Sequence, residues 1–333
     1  MTRYLSAFKY IVLLLVGIAL LVLAFRGQDV DQLISSLRKA KYEWVIASLA
    51  ACFLAHITRA IRWRMMIASL GHGTPSLLNT CYAVFIGYMA NVAFPRMGEV
   101  SRCGVINKTD KIPIIKLIGT VIIERVVDLL MLMIVLALGI ILQFDLLSNF
   151  IYNVVLPKLS GSTINFTMLM LAALILIFAI GFFYFLMKKE KWGIKNRIYS
   201  LYIEIKSGIL SIKDLDNKTD FIFSSIIIWA FYGLSTYLCF FALNATSSLG
   251  VLASLSVLVF STLGMIVPVQ GGIGAFHYMV SEGLTVYDIS KSDGLTYALL
   301  IHSSQTLLVL LGGAISVILL MIKPSKPHQN EQN

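Results

Sequence analysis

Charged residues are scarce in this sequence. Lys, Arg, Asp and Glu make up 13% of its 333 residues, about half the share found in soluble domains. Hydrophobic residues make up 58%, and the mean hydropathy is +0.84. These values exclude a soluble globular fold and a disordered chain. They predict an all-α, polytopic membrane protein with a single integral membrane domain over residues 1–322 and a polar cytoplasmic tail over 323–333.

Cysteine and histidine are few and dispersed. The four cysteines show no CxxC spacing, and the five histidines form no metal motif, so the sequence predicts no metal site and no cofactor. The chain also lacks a Ser-His-Asp set and a nucleotide-binding loop, and we therefore expect no enzymatic activity. The cysteines are interpreted as small core residues: Cys52, Cys81, Cys103 and Cys239.

Long apolar runs are what the sequence does have. Eighteen residues of α-helix reach about 27 Å, enough to cross a bilayer core, and two further runs stop at a proline followed by glycine. Trp44 and Trp63 flank the second run and are predicted to be interface anchors. Six runs are predicted to span: Phe8–Phe25, Trp44–Ile61, Ile114–Phe144, Asn165–Met187, Phe221–Leu243 and Tyr297–Ile322. The interrupted runs are Leu77–Phe94, which stops at Pro95–Gly98, and Leu249–Val267, which stops at Pro268–Gly274 and is followed by Ala275–Tyr287.

Basic residues outnumber acidic ones, 27 to 17, which gives a net charge of +10. Most of this excess lies in loops, so it indicates topology and contact with anionic lipid rather than nucleic-acid binding. The positive-inside rule then places both termini in the cytoplasm and makes each interrupted run a hairpin that enters and leaves on one side. Whether the hairpins are re-entrant or fully spanning stays open, and they are often counted as two of eight spans.

The predicted elements repeat with opposite topology in two halves, 8–144 and 165–322. Paired interruptions at matching places in inverted repeats indicate where a transporter binds its substrate. Between the halves, residues 188–220 form a basic linker. Its apolar residues recur at helical spacing, which favours an amphipathic helix on the inner leaflet, with a solvated connector as the alternative.

Three ionisable residues, Glu124, Arg125 and Asp128, lie within one turn of the fourth run. Each charge at bilayer depth costs about 2.5–3.5 kcal/mol on insertion scales, so these side chains must face protein or water. They form either a polar site for a headgroup or coupling ion, or a structural ion pair between helices.

The first interruption carries a second set of polar residues. Its proline and glycine free backbone groups that can line a cavity, and its arginines can offer forked donors to a phosphate. A cytoplasmic loop with snorkelling arginines is the alternative. The set is Asn91, Pro95, Arg96, Gly98, Glu99 and Arg102.

Two further groups complete the candidate site. Arg59 and Arg62 are three residues apart at the inner end of the second run, where they either anchor the span or share a cavity-facing side. At the second interruption, Gly-Gly-x-Gly leaves amides free to approach an anion, and a helix–helix hydrogen bond is the alternative role for the histidine. These residues are Pro268, Gly271, Gly272, Gly274 and His277.

The order of these motifs resembles the lysylphosphatidylglycerol synthase transmembrane, or flippase-like, family over about residues 5–322. The motifs are Arg59-x-x-Arg62-Trp63, Asn91-x-x-x-Pro95-Arg96-x-Gly98-Glu99-x-x-Arg102, Glu124-Arg125-x-x-Asp128 and Pro268-x-x-Gly271-Gly272-x-Gly274. The chain departs from the family pattern at His277, where many relatives carry an acid. In bifunctional relatives this domain is taken to move an aminoacylated lipid to the outer leaflet. The resemblance implies a stand-alone member without the soluble aminoacyl transferase domain.

We therefore expect a flippase of the cytoplasmic membrane whose partner is a phospholipid with an anionic or aminoacylated headgroup. Arg125, with Arg96 or Arg102, would bind the anion, and the nearby acids would orient these arginines or contact a cationic headgroup. A homo-oligomer and a separate lipid-modifying enzyme are further partners to consider. The alternatives are a secondary transporter of a small solute or ion, and the membrane component of an enzyme that modifies lipid headgroups.

Overall fold

The computed structural model describes residues 2–144, 146, 148 and 217–322. All regular structure in this part of the chain is helical, which confirms the predicted fold class. Ten α-helices follow one another: α1 Thr2–Phe25, α2 Val30–Arg38, α3 Tyr42–Ala68, α4 Leu77–Ala93, α5 Met97–Asp110, α6 Ile114–Leu142, α7 Lys218–Phe240, α8 Val251–Ile266, α9 Ala275–Leu284 and α10 Lys291–Ile322. Short 3₁₀ turns occupy Gln270–Gly272 and Thr285–Tyr287.

Four of these helices, α3, α6, α7 and α10, are long and apolar enough to cross a membrane. Each contains or closely matches a predicted run. This agreement is expected, because an apolar segment in lipid must satisfy its own backbone hydrogen bonds and therefore forms a helix. The predicted span 165–187 and most of the linker 188–220 lie outside the described residues. The inverted-repeat relation between the halves therefore stays a prediction.

Both interrupted runs form antiparallel helical hairpins. In the first, Gly87 of α4 lies against Gly98 of α5, and the Asn79 amide donates to Asp110 at 3.0 Å near the other end. At 1.5 Å per residue α4 is about 25 Å long, shorter than a typical span. In the second hairpin the backbone of α9 at Phe276 lies against Gly264 of α8. The chain thus turns back at both predicted breaks.

The second break lies against the end of α4, just before the first break, and against α1. Gly271 lies beside the backbone of Val92 at the end of α4, and Gly274 lies against the carbonyl of Gly17 on α1. Helix α10 packs along α4, where Gly313 makes room for Met89. Small residues at these crossings allow the backbones to approach closely, as is usual between membrane helices.

Helices α3 and α7 form the central antiparallel pair. The Ser48 hydroxyl donates to the carbonyl of Ser235 at 2.8 Å, and further along the pair Arg62 donates to Ser225 at 3.1 Å. All four cysteines are buried with free thiols, as expected for core residues.

Helix α2 was not anticipated, because its nine residues are too polar to appear as an apolar run. Asp29 caps it by accepting from the amides of Asp31 and Gln32 at 2.9 and 3.2 Å. An aspartate ahead of a short amphipathic segment is the signal that could have identified it.

Candidate functional site: a buried charge cluster beside the first break

Helices α3, α5 and α6 bring their charged residues together at one place. Arg59 and Arg62 are three residues apart on α3, and Glu124 and Asp128 are four apart on α6, so each pair shares one helix face. The two faces point at each other in the fold. The helical spacing read from the sequence is thus what places four of the charges in one cluster.

Glu124 is the centre of the cluster and is fully buried, with 0% of its side chain exposed. One carboxylate oxygen, Oε1, accepts from Arg59 Nη1 at 2.5 Å, and the other, Oε2, accepts from Arg102 Nη1 at 2.9 Å. Asp128 accepts from both arginines of α3, each at 2.7 Å. These bonds join α3, α5 and α6 through charge-assisted pairs, which are shorter and stronger than neutral hydrogen bonds.

Trp63 supports the cluster from within, and its predicted role as an interface anchor is wrong. The side chain is 0% exposed, and its indole N–H donates to the Thr120 hydroxyl at 2.9 Å. The Arg102 guanidinium lies over the Trp63 ring at 4.5 Å from the centroid, within the range of a cation–π contact. Arg59 and Arg62 are likewise buried, and both are paired with the acids of α6 rather than exposed as membrane anchors.

Arg125 lies at the edge of the cluster and is the exception to its burial. Its side chain is 47% exposed, and its nearest carboxylate oxygen is that of Glu99, at 3.5 Å. Its distances to Asp128 and Glu124 are 3.8 and 4.0 Å. Because the buried acids already accept short bonds from other arginines, Arg125 is held loosely and keeps donors available.

A narrow crevice separates α4 and α5 from α6 at this edge, with a cavity volume of about 10 Å³, close to the space that one water needs. Within the described residues, Arg102 Nη2 and Glu99 Oε2 are buried without a hydrogen-bond partner. Unpaired buried polar atoms are costly, so this crevice can take a water-sized group that both accepts and donates. It is lined by Val84, Gly87, Tyr88, Asn91, Gly98, Glu99, Arg102 and Arg125.

The first break closes the crevice at one end. The Gly98 amide donates to Asn91 Oδ1 at 2.7 Å, and a Cβ at Gly98 would overlap the Gly87 carbonyl. Pro95 lies in the turn ahead of α5. Arg96 adopts a left-handed conformation with φ of 64° and is exposed, and no described ion pair includes it. Of the two predicted partners for Arg125, the structure therefore places Arg102 in the crevice and leaves Arg96 outside.

The second break lies outside the charge cluster, and no described ion pair includes its residues. Gly271, Gly272 and Gly274 all have positive φ, which only glycine adopts readily. The Gly274 amide donates to His277 Nδ1 at 3.3 Å, and His302 donates to the Gly271 carbonyl at 2.8 Å. Pro268 lies exposed ahead of these glycines.

Three residues around the cluster were missed by sequence reasoning. Ser225 on α7 accepts from Arg62, and Tyr88 and Tyr232 lie with their hydroxyl oxygens 3.5 Å apart. The ring of Tyr232 also lies 6.0 Å from the Arg59 guanidinium. Tyr88 could have been identified, because it is three residues before Asn91 on the same face of α4. Ser225 and Tyr232 carried no such signal in an otherwise apolar run.

Comparison with known proteins gives one match. The chain matches the family model described as the lysylphosphatidylglycerol synthase TM region over residues 10–313. Neither a curated protein nor a solved structure gives a significant match. The match covers nearly all of the chain, including the charge cluster and both breaks. The protein therefore belongs to the lysylphosphatidylglycerol synthase TM region family and is a multi-pass membrane protein.

Proposed function

We propose that this protein moves a phospholipid with an anionic or aminoacylated headgroup between the leaflets of the cytoplasmic membrane, with the headgroup bound at the exposed edge of the crevice between α4, α5 and α6, where Arg125 lies. The observation that carries the proposal is the charge of the cluster. Within the described residues, four arginines face three carboxylates, which leaves one excess positive charge. An excess charge at membrane depth is unfavourable unless an anion neutralises it.

The arginines that line the crevice suit a phosphate group. Arg125 is half-exposed, and Arg102 retains a buried unpartnered Nη2. Guanidinium groups bind phosphate oxygens through paired N–H donors. Glu99 Oε2 is unpartnered on the same lining, so it would accept from an ammonium group on an aminoacylated headgroup.

The surface next to Arg125 suits an acyl chain. Leu129 and Met133 follow at spacings of four residues on α6, so they share the face of Arg125, and each is 55% exposed. A lipid could therefore keep its headgroup at the edge of the crevice while its chains run along this apolar strip.

The remaining acids have a positioning role in this proposal. Glu124 and Asp128 hold Arg59, Arg62 and Arg102 in place and set the net charge of the cluster. We assign no catalytic residue, so a separate enzyme would modify the headgroup. The positive-inside orientation and the inverted repeat belong to the same proposal and would let the two halves rock about the touching breaks.

Lipid retention tests the headgroup site directly. The wild type and Arg125→Gln are purified from the same native membranes, and the lipids that copurify are quantified by mass spectrometry. We expect one charged phospholipid class to be enriched in the wild type and reduced about tenfold or more in Arg125→Gln, since a hydrogen bond to a charged group contributes about 1.5–3 kcal/mol. Lys291→Gln is the matched control, because Lys291 is also a partly exposed cation in an ion pair, and its partner Glu282 lies outside the crevice.

Translocation is then measured in proteoliposomes that contain acyl-chain-labelled phosphatidylglycerol, by the fraction of label that dithionite reduces. We expect the wild type and Lys291→Gln to expose inner-leaflet label and Arg125→Gln to expose it at least about tenfold more slowly, again from the loss of one charged hydrogen bond. Retention of bulk lipid in bulk proportions, or equal rates in all three proteins, would contradict the proposal. Lipid retention without translocation would favour a membrane component of a headgroup-modifying enzyme.

A further inference from the structure

The second break contains a buried pair of histidines that the proposed headgroup site does not use. His277 on α9 and His302 on α10 are both buried, and their ring centroids are 4.8 Å apart. No ion pair among the described residues includes either histidine, and buried ionisable groups in membrane proteins often mark proton or ion pathways.

Hydrogen bonds fix the tautomer of each ring. His302 Nε2 contacts the Gly271 carbonyl at 2.8 Å, so this nitrogen carries its proton. His277 Nδ1 accepts from the Gly274 amide at 3.3 Å, so this nitrogen is unprotonated. His277 is therefore neutral in the described conformation, and His302 keeps a proton on Nε2.

A proton added to His277 must bind Nδ1, the atom that accepts from Gly274. Two N–H groups would then face each other, and the bond that holds the Gly274 amide at the start of α9 would be lost. A second proton on His302 would place two positive charges about 5 Å apart at low dielectric. The pair can thus hold one proton, and a proton at His277 disrupts the backbone of the break.

The consequence reaches the neighbouring helices because the break packs tightly. Gly274 lies against Gly17 of α1, and Gly271 lies against Val92 of α4. Around the break α1 presents Gly17, α4 presents Val92 and α8 presents Met265, none of which can ionise. Among the side chains that the structure describes, the titratable group that contacts His277 is His302.

At the first break, too, a glycine amide donates to a side chain, but that side chain cannot titrate. There the Gly98 amide donates to Asn91 Oδ1 at 2.7 Å. A side-chain amide oxygen accepts at every pH, whereas an imidazole nitrogen accepts only when it is neutral. This difference provides an internal control.

We propose that the His277–His302 pair is a proton-binding site, and that a proton on His277 Nδ1 releases the Gly274 amide and loosens the contacts of the second break with α1 and α4. The closed conformation excludes the proton, and the loosened conformation accepts it. Proton binding and opening are therefore linked, since a ligand shifts a protein toward the state that it binds better. The proposal goes beyond lipid translocation and does not depend on it.

Amide hydrogen exchange of the whole protein in nanodiscs tests this site without any substrate. Exchange of peptides that cover 268–284 is followed from about pH 8 to about pH 5, the range over which imidazoles usually change charge, and is corrected for the chemical pH dependence. We expect protection at the second break to fall at least tenfold in the wild type as pH falls. Peptides over 94–104, at the first break, should show no such step.

Two variants assign the step to a side chain. In His277→Asn an amide oxygen can accept from Gly274 at every pH, so the step should disappear. In His302→Gln the side chain can still donate to the Gly271 carbonyl, so the step should remain. A step that persists in His277→Asn, or that is lost only in His302→Gln, would overturn the proposal.

A spectroscopic measurement keeps the test valid if His277→Asn does not fold. In wild-type protein labelled with ¹⁵N-histidine, the resonance of an imidazole with an unprotonated Nδ1 should convert to that of an imidazolium over the same pH range as the exchange step. If the resonances assigned to His277 and His302 stay those of neutral rings while the exchange step occurs, the proposal is wrong.

Discussion

At the first break the Gly98 amide donates to the side-chain oxygen of Asn91, and at the second break the Gly274 amide donates to the ring of His277. Both bonds satisfy an amide at the start of a short helix, where the first turn has no intrahelical acceptor. Both breaks also share the Pro-x-x-Gly pattern in the sequence. The local backbone problem is thus the same in the two hairpins.

The surroundings of the two breaks differ completely. Beside the first lie Glu99, Arg102 and Arg125, within a cluster that has one excess positive charge. Beside the second lie His277 and His302 among apolar neighbours. The comparison teaches that the same kind of backbone hydrogen bond can lie beside two different chemistries, a cluster of charged side chains at the first break and a pair of imidazoles at the second.

The largest expected effect comes from Glu124→Gln beside the first break. The change leaves Arg59 and Arg102 buried without their shared carboxylate, which costs about 3–5 kcal/mol for a buried pair. The thermal midpoint in detergent should fall sharply. The control is Glu282→Gln in the second hairpin, where the ion pair with Lys291 is half-exposed and its loss should cost at most about 1 kcal/mol. Equal falls in thermal midpoint for the two variants would contradict the expected difference between the buried and the partly exposed ion pair.

The next effect concerns how closely the hairpin arms approach. A Cβ at Gly98 would overlap the Gly87 carbonyl, whereas a Cβ at Gly104, on the same helix α5, would meet nothing within 4 Å. Overpacking typically costs about 1–3 kcal/mol, so Gly98→Ala should lower the thermal midpoint and Gly104→Ala should not. Gly104→Ala could even stabilise α5, since alanine favours helix. A stable Gly98→Ala variant would mean that the arms are farther apart than described.

A smaller effect is expected when the side chain that accepts from the Gly98 or Gly274 amide is replaced. Asn91→Ala leaves the Gly98 amide without its partner, which costs about 1–3 kcal/mol and should raise hydrogen exchange over 94–104 at every pH. His277→Asn can keep an acceptor for Gly274, so exchange at the second break should be unchanged near pH 8. Unchanged exchange in Asn91→Ala would show that the Asn91 bond does not hold the first break closed.

The smallest effect is expected at Arg96. This residue is exposed, and no described ion pair includes it, so Arg96→Gln should change stability by less than about 0.5 kcal/mol. Lipid retention should also match the wild type, in contrast to Arg125→Gln. A loss of lipid in Arg96→Gln equal to that in Arg125→Gln would move the headgroup site out of the crevice and toward the turn ahead of α5.

Much of the fold was predictable because its signals are local. Apolar runs identified the four membrane-length helices α3, α6, α7 and α10, and Pro-x-x-Gly identified both breaks. Spacings of three and four residues placed Arg59 with Arg62 and Glu124 with Asp128. Helix α2 was missed because a short polar helix leaves no hydropathy signal, and the role of Trp63 was wrong because its position at a run end indicated the membrane interface.

The sequence by itself therefore determined that this is an all-α membrane protein with two interrupted hairpins and a set of charges that must avoid lipid. Only the tertiary structure decided that Arg102 bonds to Glu124, that Trp63 points inward and that Arg125 stays at the rim. The reason is physical. Lipid and the interior of a membrane protein are both apolar, so hydropathy cannot tell which face of a helix packs against protein, and pairing between distant helices is set by packing and hydrogen bonding alone.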